Sequence, residues 1–239
     1  MENFTLIILG LGIGFGFLIQ TIVGFAASLI ALPILLLTLN LQDSIAFLSI
    51  FHLIFSVFLI SKNYKLIDKN IALEMLTGGI IGLIIGIYTL KYGNPAILKK
   101  LLGIFIVLYV GHSSLKKRKI KIFDKVGFIF TFLGGFFSGL YSTGGPLFAT
   151  YIHNKLTKPS TIRATLIGTL AVVNVLRMPL LIGNDLISYN IFLQSIVILP
   201  FFLLSIYLGE KLYKKVNEVT FKRIFIILLF MSGIALIIK

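Results

Sequence analysis

The residues best suited to chemistry sit in one stretch, Gly134-Gly135-Phe136-Phe137-Ser138-Gly139-Leu140-Tyr141-Ser142-Thr143-Gly144-Gly145-Pro146. It is too apolar for a water-facing loop and too rich in glycine for a plain helix. The pattern predicts a helix that enters a membrane, breaks, and restarts at Gly144-Gly145-Pro146. Ser142 and Thr143 are good cap residues, and proline is tolerated in a first helical turn. A half-helix starting there presents free N–H groups and the positive dipole end at membrane depth, which suits an anion. Such breaks are tolerated in a membrane where they line a cavity. Gln20-Thr21-Ile22-Val23-Gly24-Phe25-Ala26-Ala27 carries a milder form of the same features. Two half-helix N-termini facing each other at the midplane would offer a small oxyanion two sets of donors without a dedicated arginine. The candidate binding residues are therefore Gln20, Thr21, Gly24, Phe25 and Ala26 in one stretch and Ser142, Thr143, Gly144, Gly145 and Pro146 in the other. The plainer alternative is that these glycines only permit close helix packing.

Three further side chains have chemical weight. His52 lies in the middle of an apolar span, where an ionisable group is expensive and marks a functional candidate. It is a candidate for proton coupling, or else a neutral histidine donating to a carbonyl. Asn174 and Arg177 share a helix face. Two readings are open for Arg177: it lines the path of an anion, or it snorkels to the outer interface. No catalytic constellation is legible. There is no phosphate-binding loop after a strand, no His/Cys set with zinc spacing, and no Ser/His/Asp set. The expectation is a chain that is not an enzyme, with no metal and no cofactor.

The elements that must position these groups are membrane helices. Mean hydropathy is +1.05 and 58% of the 239 residues are hydrophobic, which points to an all-α polytopic membrane protein. There are no cysteines, so thiol chemistry and disulfides are excluded. The net charge of +14 sits mainly in short loops between apolar runs. It reads as positive-inside topology and contact with membrane lipid, with no nucleic acid partner. The first apolar run lacks a basic leader and a cleavage site and is expected to be retained.

Residues 4–39 form one apolar run interrupted near Gln20–Gly24, in pieces of about 16 and 15 residues. At 1.5 Å per residue these measure roughly 24 and 22 Å, short of a ~30 Å hydrocarbon core, so a re-entrant hairpin is expected. Spans follow at about 44–61, 71–90 and 101–115, the second carrying Gly78, Gly79, Gly82 and Gly86 for close helix contact. A second hairpin at about 127–140 and 144–154 precedes spans near 164–182, 189–208 and 222–238. The halves resemble each other at an offset of about 120 residues. Taking the most basic loop as cytoplasmic gives them opposite orientations, with the three lysines of loop 91–100 as the exception. The organisation expected is a first transmembrane repeat over 1–115, a basic cytoplasmic linker over 116–126 and a second repeat over 127–239. That is two inverted repeats of about eight transmembrane elements with two broken-helix re-entrant hairpins, a transporter plan.

On these features the sequence resembles the TauE/SafE family of sulfite and organosulfonate exporters. The residues that carry the resemblance are the glycine-rich first hairpin Gly10–Pro33, the run Gly139-Leu140-Tyr141-Ser142-Thr143-Gly144-Gly145-Pro146, and the duplicated layout. It departs from the pattern at Gly24-Phe25-Ala26-Ala27, where such proteins often have a run of glycines. The resemblance implies a multi-pass protein of the cell membrane that exports sulfite or a similar small sulfur-containing anion. The expected partners are that anion, lipid and a second copy of the chain. Two other functions stay open: a passive anion channel, and a carrier that hands a sulfur species to a soluble partner.

Overall fold

The computed structural model describes residues 3–114 and 123–213, with 226–227, 229–234 and 236–237 near the C-terminus. The described residues are all-helical. The elements are α1 (Asn3–Val23), α2 (Ala27–Leu35), α3 (Leu41–Asn63), α4 (Lys69–Tyr92), α5 (Pro95–Ser114), α6 (Phe123–Tyr141), α7 (Gly145–Lys155), α8 (Pro159–Gly183) and α9 (Tyr189–Tyr213), with a 3-10 turn at Tyr64–Leu66. Most of the expected linker over 116–126 and of the last span over 222–238 lies outside the described residues.

Among the described residues five helices are long and apolar enough to cross a membrane: α1, α3, α4, α8 and α9. Many of their large apolar side chains face outward, such as Phe192, Leu193, Ile196, Val197, Phe201 and Leu204 on α9. A water-soluble protein rarely exposes so continuous an apolar surface, whereas lipid tails solvate it. The connections are short and capped locally. Asn40 accepts the Asp43 N–H at 2.8 Å and so starts α3. Asn94 does the same for Ala96 at 2.9 Å and starts α5. Only Gly93 and Asn94 separate α4 from α5. The lysines expected in a loop over 91–100 therefore belong to helices, Lys91 to the last turn of α4 and Lys99 and Lys100 to α5.

The first break differs from the expectation. α1 has 21 residues, about 31 Å, and is long enough to cross unaided. Its helix continues through Gln20-Thr21-Ile22-Val23 because both polar side chains are satisfied without unwinding it. Thr21 Oγ1 donates to the Phe17 carbonyl at 2.7 Å, and Gln20 reaches forward beyond the helix. The chain turns instead at Gly24 and Ala26, both at φ 94. The re-entrant hairpin expected here is thus a full-length arm followed by a half-helix, α2, of 9 residues. The second break repeats this construction: α6 has 19 residues and α7 has 11. Gly24 and Ser142 each leave their helix with positive φ, 94 and 58, and are 118 residues apart, as are Ala27 and Gly145 and the starts of α3 and α8. The register of resemblance between the halves is therefore 118 at the breaks.

The helices sort into two compact units, each drawing on both halves of the sequence. One contains α1, α2, α5 and most of α9; the other contains most of α3 with α4, α6, α7 and α8. In the first, α1 packs on α2, and Phe17 meets Phe202 edge to face at 4.9 Å. Gly16 allows this approach, since a Cβ there would lie 2.9 Å from Ala31 Cβ. In the second, α4 and α6 make the closest pairing. A Cβ on Gly82 would lie 2.6 Å from the Phe136 nitrogen, and one on Gly139 3.0 Å from the Ile87 nitrogen. The glycines of α4 serve helix contact as expected, and Gly135 and Gly139 of the chemically suspect stretch share that work. Gly134 makes room for Phe148, whose ring carbons would lie 2.9 Å from an added Cβ.

Candidate functional site

The site is built at the end of α6. Ser142 takes the left-handed conformation that ends the helix, and its N–H bonds the Ser138 carbonyl at 3.0 Å. The Thr143 N–H reaches the Phe137 carbonyl at 3.1 Å. Gly144 then returns to helical geometry, φ −68 and ψ −16, and its carbonyl accepts from both Leu147 and Phe148 at 3.1 Å. Pro146 sits in the first turn, as its missing N–H allows. Gly144, at the cap position, has no side chain to bond this terminus, and no other side-chain bond to it is found among the described residues. Gly144 is required by proximity: a Cβ there would collide with the Gly134 carbonyl oxygen and with Ser138 Oγ.

Arg177 closes the site from α8. It is 1% exposed, the largest of the fully buried side chains among the described residues. Its Nη1 donates to Ser142 Oγ, while Nε and Nη2 are buried with no acceptor. These two nitrogens form one edge of the planar guanidinium, the edge that grips two oxygens of an oxyanion side by side. Thr143 Oγ1 is likewise buried without a partner. Of the two readings open for Arg177, snorkelling does not describe it. Most buried polar atoms in proteins are hydrogen-bonded, and several orphans at one place need an explanation.

A polar chain runs away from this point through the same unit. One turn before Arg177, Asn174 Nδ2 donates to Ser56 Oγ at 2.9 Å. Ser56 Oγ in turn donates to the His52 carbonyl at 2.7 Å. His52 is buried and lies within electrostatic reach of Arg177. The structure thus brings Ser142, Thr143, Gly144, Gly145, Pro146, Asn174, Arg177 and His52 into one unit. Sequence reasoning missed Ser56, although its position one turn from His52 on an apolar helix was a signal. It also missed the bond from Tyr151 to Glu74 Oε2, at 2.7 Å. That bond lines an open cleft of about 500 Å³ with Asn70, Thr77, Thr131 and Lys155.

The first break has a different local chemistry. Gln20 Oε1 accepts the Ala27 N–H at 3.0 Å, so this half-helix terminus is capped by a side chain of its own unit. Thr21 is engaged with α1. Phe25 and Ala26 are half-buried. Among the described residues no group of three or more His, Asp or Glu side chains could hold a metal.

No curated protein and no solved structure matches the chain. A family model does: the family described as Sulfite exporter TauE/SafE matches residues 6–236. With nearly the whole chain matched, apolar helices among the described residues and a broken helix at the Gly144-Gly145-Pro146 run, the chain belongs to the TauE/SafE sulfite exporter family.

Proposed function

We propose that this chain is a secondary transporter of the cell membrane that exports a small sulfur oxyanion, sulfite or an organosulfonate, bound at the break between α6 and α7. The observation that carries the reading is Arg177: a fully buried guanidinium, tied to Ser142 at the break, with its Nε/Nη2 edge and the neighbouring Thr143 hydroxyl unpartnered. A buried cation with nothing to pair it is costly, and its retention calls for a use. The N-terminus of α7 adds Gly144 and Gly145 backbone donors and the positive end of a helix dipole. Asn174 continues the polar path, and His52 is the group for proton coupling. Gln20, Thr21, Gly24, Phe25 and Ala26 shape the other tip, at which Gln20 already satisfies one donor. The halves are read as inverted repeats, supported by the recurrence of elements at 118 residues and by the basic loops. Export of an anion is helped by an inside-negative potential, ~2.3 kcal/mol per charge per 100 mV.

The test is flux of labelled sulfite in proteoliposomes holding the full chain. Saturable flux is expected, falling at least tenfold in Arg177→Gln and less in Ser142→Ala. Its pH dependence is expected to flatten in His52→Gln. Undiminished flux in Arg177→Gln overturns the site. Flux that rises linearly with concentration indicates a channel. A folded protein that moves no sulfur oxyanion overturns the substrate assignment.

A further inference from the structure

We infer that Arg177 keeps a small anion as its counter-ion throughout the cycle, so that the protein exchanges one anion for another and returns empty only slowly. The inference rests on the α6/α7 break being the anion site, and it adds a second ligand class, simple inorganic anions such as chloride. Three features carry it. The guanidinium is 1% exposed, so water does not solvate its charge. Among the described residues Ser142 Oγ is its one acceptor, a neutral hydroxyl that leaves Nε and Nη2 unmatched. Among the described residues no carboxylate pairs with it, and His52, the ionisable group on which it acts, carries no negative charge in either form.

Arginine stays protonated in proteins, so the site cannot relieve the charge by losing a proton. Departure of the transported anion therefore strands a cation in a low-dielectric site, which is the unfavourable half of breaking a buried pair. A replacement anion from the receiving side removes that state. The Nε/Nη2 edge donates to a halide as a shared point contact and to an oxyanion as two parallel bonds. Substrate and counter-ion then compete for the same donors, and the return step runs with the charge matched. The position of the break supports this: Thr143 Oγ1 offers a further donor to an anion of either kind.

The experiment uses the full chain in liposomes loaded with labelled sulfite, with the membrane potential clamped by potassium and valinomycin. Release is measured into chloride and into gluconate, and uptake of labelled chloride is measured against internal chloride. Release into chloride is expected to be at least ten times faster than into gluconate, and chloride self-exchange is expected to be saturable and lost in Arg177→Gln. As a readout independent of flux, chloride is expected to raise the unfolding temperature of the parent protein and not that of folded Arg177→Gln. Equal release into gluconate and chloride overturns the exchange inference while leaving the transport reading intact. Arg177-dependent chloride exchange with no sulfite movement upholds the inference and removes the substrate assignment. If neither anion moves, and chloride does not shift the unfolding of the parent protein, both readings fall.

Discussion

Gly135→Ala is the sharpest probe of how the α4/α6 pairing sets the site. An added Cβ at Gly135 would lie 2.6 Å from the Gly79 carbonyl carbon and 2.7 Å from Gly79 Cα. The nearest atom is the Gly79 carbonyl oxygen, which the added Cβ would overlap outright; ordinary contacts begin at ~3.4 Å, so the gap must widen by more than ~1 Å. Every atom met is backbone, so no side chain can rotate away and the two helices have to part. Widening a packed seam by that much forfeits at least about a quarter to a half of the dispersion well along it. Overpacking of this kind costs about 1–3 kcal/mol, and the backbone collision places Gly135→Ala toward the upper end. The seam is held shut on both sides, because a Cβ at Gly82 would meet the Phe136 nitrogen at 2.6 Å and one at Gly139 would meet Gly86 Cα at 3.1 Å. The strain therefore passes along α6 to its C-terminal turn, where Ser138 and Ser142 form the break. The assay is thermal unfolding in detergent paired with sulfite flux. A fall of about 4–10 °C is expected, at about 2–4 °C per kcal/mol for a chain of this size. Flux is expected to fall more than the unfolding shift alone accounts for. Gly14→Ala and Gly111→Ala serve as controls, since nothing lies within 4 Å of either added Cβ. They should be neutral or slightly stabilising through helix propensity. Gly135→Ala with parental unfolding and parental flux would refute the reasoning.

In gluconate, where no small anion pairs the guanidinium, Arg177→Met should raise the unfolding temperature while abolishing sulfite flux, because an apolar side chain of similar length removes an unpaired buried charge, worth about 1–4 kcal/mol; a variant destabilised in gluconate would mean the guanidinium is paired within the protein. Ala26→Gly should be neutral to stabilising by about 1 kcal/mol in a denaturation experiment, since Ala26 holds φ 94, where an L side chain is strained. Gln20→Ala removes the acceptor of the Ala27 N–H and should destabilise by about 1–3 kcal/mol. An unchanged unfolding midpoint would show that this cap contributes nothing.

Much of the fold is legible because hydropathy and glycine spacing act locally. The apolar runs locate α3, α4, α8 and α9 to within a few residues, and the α4 glycines announce a close partner. The second break is legible because Gly144-Gly145-Pro146 combines a collision-free residue with a helix-starting one. The first break is misplaced by about four residues for a physical reason. A dip in hydropathy at Gln20-Thr21 is not a change in φ, and a helix absorbs both side chains when Thr21 bonds back to Phe17 and Gln20 bonds forward to Ala27. The turn falls where two residues have positive φ, and the second of these is an alanine, which composition does not flag. The lysines of 91–100 are misread as a loop because a two-residue connection capped by Asn94 leaves almost no polar run to see.

Arg177 shows the limit of sequence reading most clearly. Near the end of an apolar span a long cationic side chain has two destinations of similar local plausibility, the interface or the interior. The choice is made by a residue 35 positions earlier, Ser142, whose left-handed backbone brings its hydroxyl to the guanidinium. This contact also separates the two breaks chemically. Each is a long helix, a residue with positive φ and a half-helix, yet at the first a glutamine of the same unit caps the new terminus and at the second no side chain among the described residues does. A neutral amide acceptor fills the donor position that an anion would use, whereas an unpaired arginine and a bare terminus leave theirs open. Two breaks of one construction therefore differ in the donors they leave open. On this argument the α6/α7 break, and not the α1/α2 break, is the one built to recognise charge, as proposed above.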